Sequence, residues 1–179
     1  MQINKTYITL IACALININA QDKTNAINHD NRSSTKIIQT YRFDELLDDG
    51  SYTIKVENLS SNINILGHEG SGAKVTIRKI AQVITKKEAH EAYEYSKTIV
   101  KNFKGEEIIH IIGTNNKMLG LQMENFIDLY LPKKINLEIN LLGGDISLNN
   151  IHGESILETL GGDININNYE GRVDTETSG

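Results

Sequence analysis

The chain has 179 residues, enough for one domain or one domain and a tail, with no Trp, one Pro and 14 Gly. Its formal net charge is −5, and no run of Lys or Arg is longer than two. That pattern excludes the clustered positive charge that nucleic-acid binding rewards.

Residues 1–20 read as a signal peptide. Lys5 supplies one positive charge, Tyr7 to Ile16 is nearly all apolar, and Ala20 offers a small residue at the cleavage point before the polar Gln21-Asp22-Lys23. The apolar stretch is too short to cross a hydrocarbon core of ~30 Å as a helix. The mature chain therefore carries no transmembrane helix. Cleavage after Ala20 removes Cys13, the only cysteine, and with it any disulfide, thiol nucleophile or cysteine metal site. The alternative is a lipoprotein anchored at Cys13, since Leu10-Ile11-Ala12-Cys13 has the form of a lipobox. Either way the protein is exported, to the periplasm, the outer membrane surface or the medium.

Residues 21–35 are polar and without apolar rhythm, and predict a flexible leader. Strand signals begin at Lys36. Ile54 and Val56 alternate with Thr53, Lys55 and Glu57 after the turn at Asp48-Asp49-Gly50. Thr85-Lys86-Lys87-Glu88 has the capping-box pattern, and the good helix formers that follow predict one short helix near residues 86–101. Ile108 to Ile112 returns to strand. Ile127, Leu129 and Leu131, then Ile135, Leu137 and Ile139, alternate with polar residues on either side of Pro132-Lys133-Lys134.

An internal repeat follows. Gly143-Gly144-Asp145-Ile146-Ser147-Leu148-Asn149-Asn150 recurs as Gly161-Gly162-Asp163-Ile164-Asn165-Ile166-Asn167-Asn168, eighteen residues on, and about half the positions are identical over the full length of the two copies. A looser copy, Asn62 to Gly70, matches Asp163 to Gly171. Fixed-period similarity predicts a solenoid with Ile146, Leu148, Ile164 and Ile166 stacked in the core. Gly144, Gly153, Gly162 and Gly171 are its structural glycines, and Gly153 and Gly171 would take corners with positive φ. Stacked copies would place Asp145 over Asp163 and Asn149 over Asn167. The aspartate pair is a weak candidate for a cation site.

These residues carry a family resemblance. Tyr52 with Ile54 to Asn58, Asn62 to Gly67, the Glu/Ala segment Glu88–Tyr95, Leu131-Pro132-Lys133 and the Gly-Gly-Asp-Ile repeats occur in an order that resembles the bacterial putative-adhesin domain of unknown function. The resemblance covers roughly Phe43 to the end. It implies an exported single-stranded β-helix, a right-handed β-solenoid over 36–179, and brings no catalytic residues with it. The second copy stops at Gly179 without a cap, so the domain is expected to be truncated at its C-terminus.

No nucleophile elbow, zincin motif or phosphate loop is present, and the five histidines lack ligand spacing. The Gly-Gly-Asp-Ile unit is not a calcium-binding nonapeptide. No cofactor is expected. Three functions are compatible: a non-catalytic surface module of adhesin type meeting an envelope glycan or protein, a polysaccharide-acting β-helix enzyme, and an envelope scaffold without a ligand. The first is preferred, because the outward repeat positions are mainly Asn, Ser, Asp and Glu rather than converging catalytic groups.

Overall fold

The computed structural model describes residues 22–30, 34–44, 46–82, 85–114 and 123–178. The segment expected to be a signal peptide, with Cys13 and Ala20, lies outside them, as does Gly179. Eleven strands and one helix follow in chain order: β1 Asp22–Asp30, β2 Ser34–Phe43, β3 Thr53–Ser60, β4 Asn62–His68, β5 Ala73–Gln82, α1 Lys86–Tyr95, β6 Thr98–Phe103, β7 Ile108–Gly113, β8 Met123–Pro132, β9 Asn136–Gly143, β10 Ile146–Thr159 and β11 Ile164–Thr177. All strands join one sheet, in the order β1-β2-β5-β8-β4-β10-β9-β3-β7-β6, with β11 added along β10.

The sheet is a curled, mixed half-barrel, and this overturns the expected right-handed β-solenoid. Successive solenoid coils pair only in parallel. Here β1/β2, β2/β5, β5/β8 and β6/β7 are antiparallel. The misreading has a physical cause. Period-2 alternation reports which face of a strand is buried, and is the same for parallel and antiparallel partners. The eighteen-residue repeat is confined to β10 and β11, which pair in parallel with Ile146 opposite Ile164 and Leu148 opposite Ile166.

β10 bends midway and serves two wings of the sheet. Ile146–Asn149 pairs with β4, and Ser155–Thr159 pairs with β9. The bends carry asparagines in the left-handed region, Asn150 at φ 60° and Asn168 at φ 48°, a conformation asparagine tolerates better than most residues. Gly171 also has positive φ (124°). Gly153 does not share it; a Cβ there would lie 2.2 Å from the Ile135 carbonyl oxygen, so close approach of backbones is what requires glycine.

The core fills the hollow of the curl. Ile54, Val56, Ile63, Ile65, Val75, Ile77, Ile127, Leu129, Leu137, Ile139, Ile146 and Leu148 all lie within it. Ser155, Leu157 and Thr159 face inward beside them, while Ile156 is exposed. Because β11 is an edge strand, Ile164, Ile166, Tyr169 and Val173 pack on the core only in part.

The helix is shorter than expected. Thr85 forms the full capping box with Glu88, but α1 ends at Tyr95 with Ser96 as C-cap. Thr98 and Val100 are then buried on β6, where β-branched side chains favour strand over continued helix. The polar segment expected to be a leader runs through β1, paired along the whole edge of β2.

Candidate functional site

The repeat corners use their polar side chains internally. Asn62, Asp145 and Asp163 form a column. Asn62 Oδ1 accepts the Asp145 N–H at 3.0 Å, and Asp145 Oδ1 accepts the Asp163 N–H at 2.9 Å. Gly144 and Gly162 stack beside this column at φ 107° and 128°, where an added Cβ would meet a neighbouring carbonyl at 2.3 and 2.4 Å. The Thr159 and Thr177 hydroxyls donate to the Gly144 and Gly162 carbonyls. Asn62 and Asp145 thus act as backbone acceptors at corners, and Asp163 closes the column by donating its N–H. Among the described residues no group of three or more His, Cys, Asp or Glu could hold a metal ion.

Strand register builds two rows across the outer face of one wing. Thr40, Thr76, Asp128, Asn64, Ser147 and Asn165 are successive partners across β2, β5, β8, β4, β10 and β11. The adjacent row runs Arg42, Lys74, Tyr130, Leu66, Asn149 and Asn167. One row therefore carries only short polar side chains, at the strand spacing of ~4.8 Å. The other carries two cations, an exposed Tyr130 and Leu66, and two amides. Within this face Arg78 holds Asp128 through two hydrogen bonds, at 2.9 and 3.4 Å, and its guanidinium lies over the Phe126 ring. Tyr130 stacks on His68 with ring centroids 4.1 Å apart and planes 18° from parallel. The His68 ring nitrogens lie 3.0 Å from the Glu69 carbonyl and 3.1 Å from the Gly72 carbonyl, and a ring N–H donating to one of these oxygens orients the ring.

The outer face of the other wing is more charged and self-paired. Lys55 reaches Glu57 and Glu138, and His110 Nε2 lies 2.9 Å from Glu57. Asn140 donates to Glu158. His152 faces Glu170 at 3.5 Å.

One ionisable group is shut inside. Lys79 is 2% exposed on the inner face of β5, between Ile77 and Ala81. Its cross-strand partners are Ile37 and Asn125, and its Nζ donates to Ser96 Oγ at 3.5 Å beneath α1. Ser96 Oγ in turn donates to the Ala92 carbonyl. Burial pushes the Lys79 amine down to about 8, because the charged form loses its hydration. A lysine at an inward position of an alternating strand was a sequence signal for this group. The Tyr130–His68 stack had none, since it depends on the pairing of β4 with β8.

No helix among the described residues is long and apolar enough to cross a membrane. No family model matches the chain, and no curated protein matches it. Two solved structures share part of its outline. One is a putative cell adhesion protein from Clostridium sporogenes, with a TM-score of 0.40 and 14% identity, over 78% of this chain and 68% of that one. The other is a putative adhesin from Parabacteroides distasonis, with a TM-score of 0.29 and 11% identity, over 78% and 69%. At these scores neither likeness bears on what this chain does.

Proposed function

We propose that this chain is a non-catalytic, exported protein of the cell envelope or surface, which presents the outer face of β5, β8, β4, β10 and β11 to an envelope glycan or protein. The row Thr76, Asp128, Asn64, Ser147 and Asn165 carries the proposal. A sheet face needs polar residues for solubility, and charged residues serve that purpose best. A run of short polar side chains, whose one carboxylate is already paired with Arg78, with one aromatic beside it, instead leaves hydrogen-bonding groups and an apolar ring accessible to a flat partner. The signal-like segment ending at Ala20 supports export. Lys79, the one strongly perturbed amine among the described residues, is buried in the core rather than on this face.

Retention of purified protein on isolated envelopes tests the surface. The double variant Asn64→Gln, Ser147→Gln should sharply lower retention, because it places two longer side chains across the row without adding charge. Unchanged retention would rule the face out. Intact mass of the secreted product should begin at Gln21; a retained Met1 or an acylated Cys13 would refute the cleavage site. No turnover is expected on acidic or neutral polysaccharides, with or without calcium.

A further inference from the structure

We infer that Tyr130 and Lys74 form a subsite for a carboxylated sugar ring, of the kind found in uronic-acid saccharides. The inference rests on the outer face being the binding surface and specifies what part of it binds.

Tyr130 and Lys74 are directly opposed across β5 and β8, so both side chains leave the same face. Tyr130 is 46% exposed on the outer face of the sheet. Its orientation is set by the His68 ring, itself held between two backbone carbonyls. A pre-oriented ring offers an apolar platform without a further loss of rotamer freedom on binding. The C–H face of a pyranose matches such a platform.

Charge selects the substituent. The other basic groups around the ring are occupied: Arg78 by Asp128 and Lys133 by Glu69. Lys74 is exposed and has no ion pair among the described residues. It stands directly opposite Tyr130, so an unpaired ammonium adjoins the ring in a chain whose net charge is −5. A carboxylate on the stacked sugar would meet the Lys74 ammonium. Leu66 and the amides of Asn64 and Asn149 lie on the far side of Tyr130, where they suit the ring C–H groups and hydroxyls of a following sugar. An acidic peptide would also satisfy Lys74, but would leave the platform and the amides without a matched partner.

The experiment is calorimetric titration of the full-length purified protein with trigalacturonate, triglucuronate and sialyllactose. The controls are carboxyl-reduced trigalacturonate and a tri-glutamate peptide. At least one acidic saccharide should bind, and about tenfold more tightly than the carboxyl-reduced control, the effect of one charge-assisted contact. Lys74→Gln should remove that advantage and leave the weak neutral binding unchanged. Tyr130→Ala should weaken acidic and neutral sugars alike. Lys74 is exposed and unpaired, so Lys74→Gln should melt like the parent, whereas Tyr130→Ala loses the His68 stack and should melt somewhat lower while remaining folded at the titration temperature. Failure of all three acidic sugars to bind, equal affinity for the reduced control, or tri-glutamate binding that survives Tyr130→Ala would each overturn the subsite. Envelope retention that is lost in Asn64→Gln, Ser147→Gln yet unaffected by Lys74→Gln and Tyr130→Ala would also overturn it, while leaving the surface reading intact. Retention insensitive to every one of these variants would remove the surface reading itself.

Discussion

Asp145 Oδ1 accepts the backbone N–H of Asp163 at 2.9 Å, one turn of the repeat away. Asn62 makes the same bond to Asp145 at 3.0 Å. The column works as a set of corner acceptors, whether the residue is amide or carboxylate. Asp145→Asn keeps the oxygen and should change stability by less than about 0.5 kcal/mol. Asp145→Ala removes it and should cost about 1 kcal/mol in urea denaturation. Calcium should shift the melting temperature of neither the parent nor the Asn variant. A calcium shift in the parent alone would make the aspartates cation ligands after all.

Gly67 and Gly161 should respond oppositely to alanine. A Cβ at Gly67 would lie 1.8 Å from the Asn150 carbonyl oxygen, part of the backbone of the neighbouring strand. The same neighbour donates its side-chain amide to the Gly67 carbonyl at 2.8 Å. Relief requires β4 and β10 to part, so Gly67→Ala should cost about 3 kcal/mol. At Gly161 an added Cβ meets nothing within 4 Å, and its φ is ordinary. Gly161→Ala should be neutral or slightly stabilising, through lower entropy of the unfolded chain.

Ile146 and Ile164 occupy matching repeat positions, yet their burial differs. Ile146 is flanked by β4 and β11 and is fully buried, whereas Ile164 lies on the edge strand. Ile146→Ala should cost about 3 kcal/mol, and Ile164→Ala about 1 kcal/mol. The exposed neighbour Asn165→Asp should be nearly silent. Equal losses at Ile146 and Ile164 in thermal melts would mean that the β11 edge is covered in solution.

Burial within strands was legible from alternation. Leu137, Ile139 and Leu141 are buried on β9 while Glu138 and Asn140 are exposed. The pairing of Ile146 with Ile164 and with Ile63 follows the register in which the three repeat copies align. The helix start was legible because Thr85 and Glu88 form a local device. Partner direction was not legible. Val75 and Ile77 alternate on β5 as Ile63 and Ile65 do on β4, yet β8 meets the first strand antiparallel and the second in parallel. The Tyr130–Lys74 juxtaposition was hidden for the same reason: it joins strands separated by a helix and two further strands, so only the tertiary register creates it.

Lys79 supplies a test of stability against pH. In the folded protein its amine titrates at about 8 against an ordinary value of 10.5, and the cause is burial. The inward residues around it, Ile37, Ile77, Ala81, Ala92, Asn125 and Ser96, carry no charge to offset the lost hydration. Below pH 8 the amine is protonated in both the folded and unfolded chain, and the full burial cost opposes folding. Between about 8 and 10.5 the unfolded chain binds more protons than the folded one, so rising pH favours folding. Above 10.5 the amine is neutral in both states and the cost has gone. The shift corresponds to about 3 kcal/mol across this window. Other lysines and tyrosines titrate nearby, so the measured quantity is the difference between the parent and Lys79→Met. Met has a similar length and no charge to desolvate. At pH 7 Lys79→Met should be the more stable protein in urea denaturation, by up to about 3 kcal/mol. The gap should narrow steadily from pH 8 and be nearly closed by pH 10.5. A gap that stays constant over that range would show that Lys79 keeps its ordinary titration, and so is hydrated rather than sealed beneath α1.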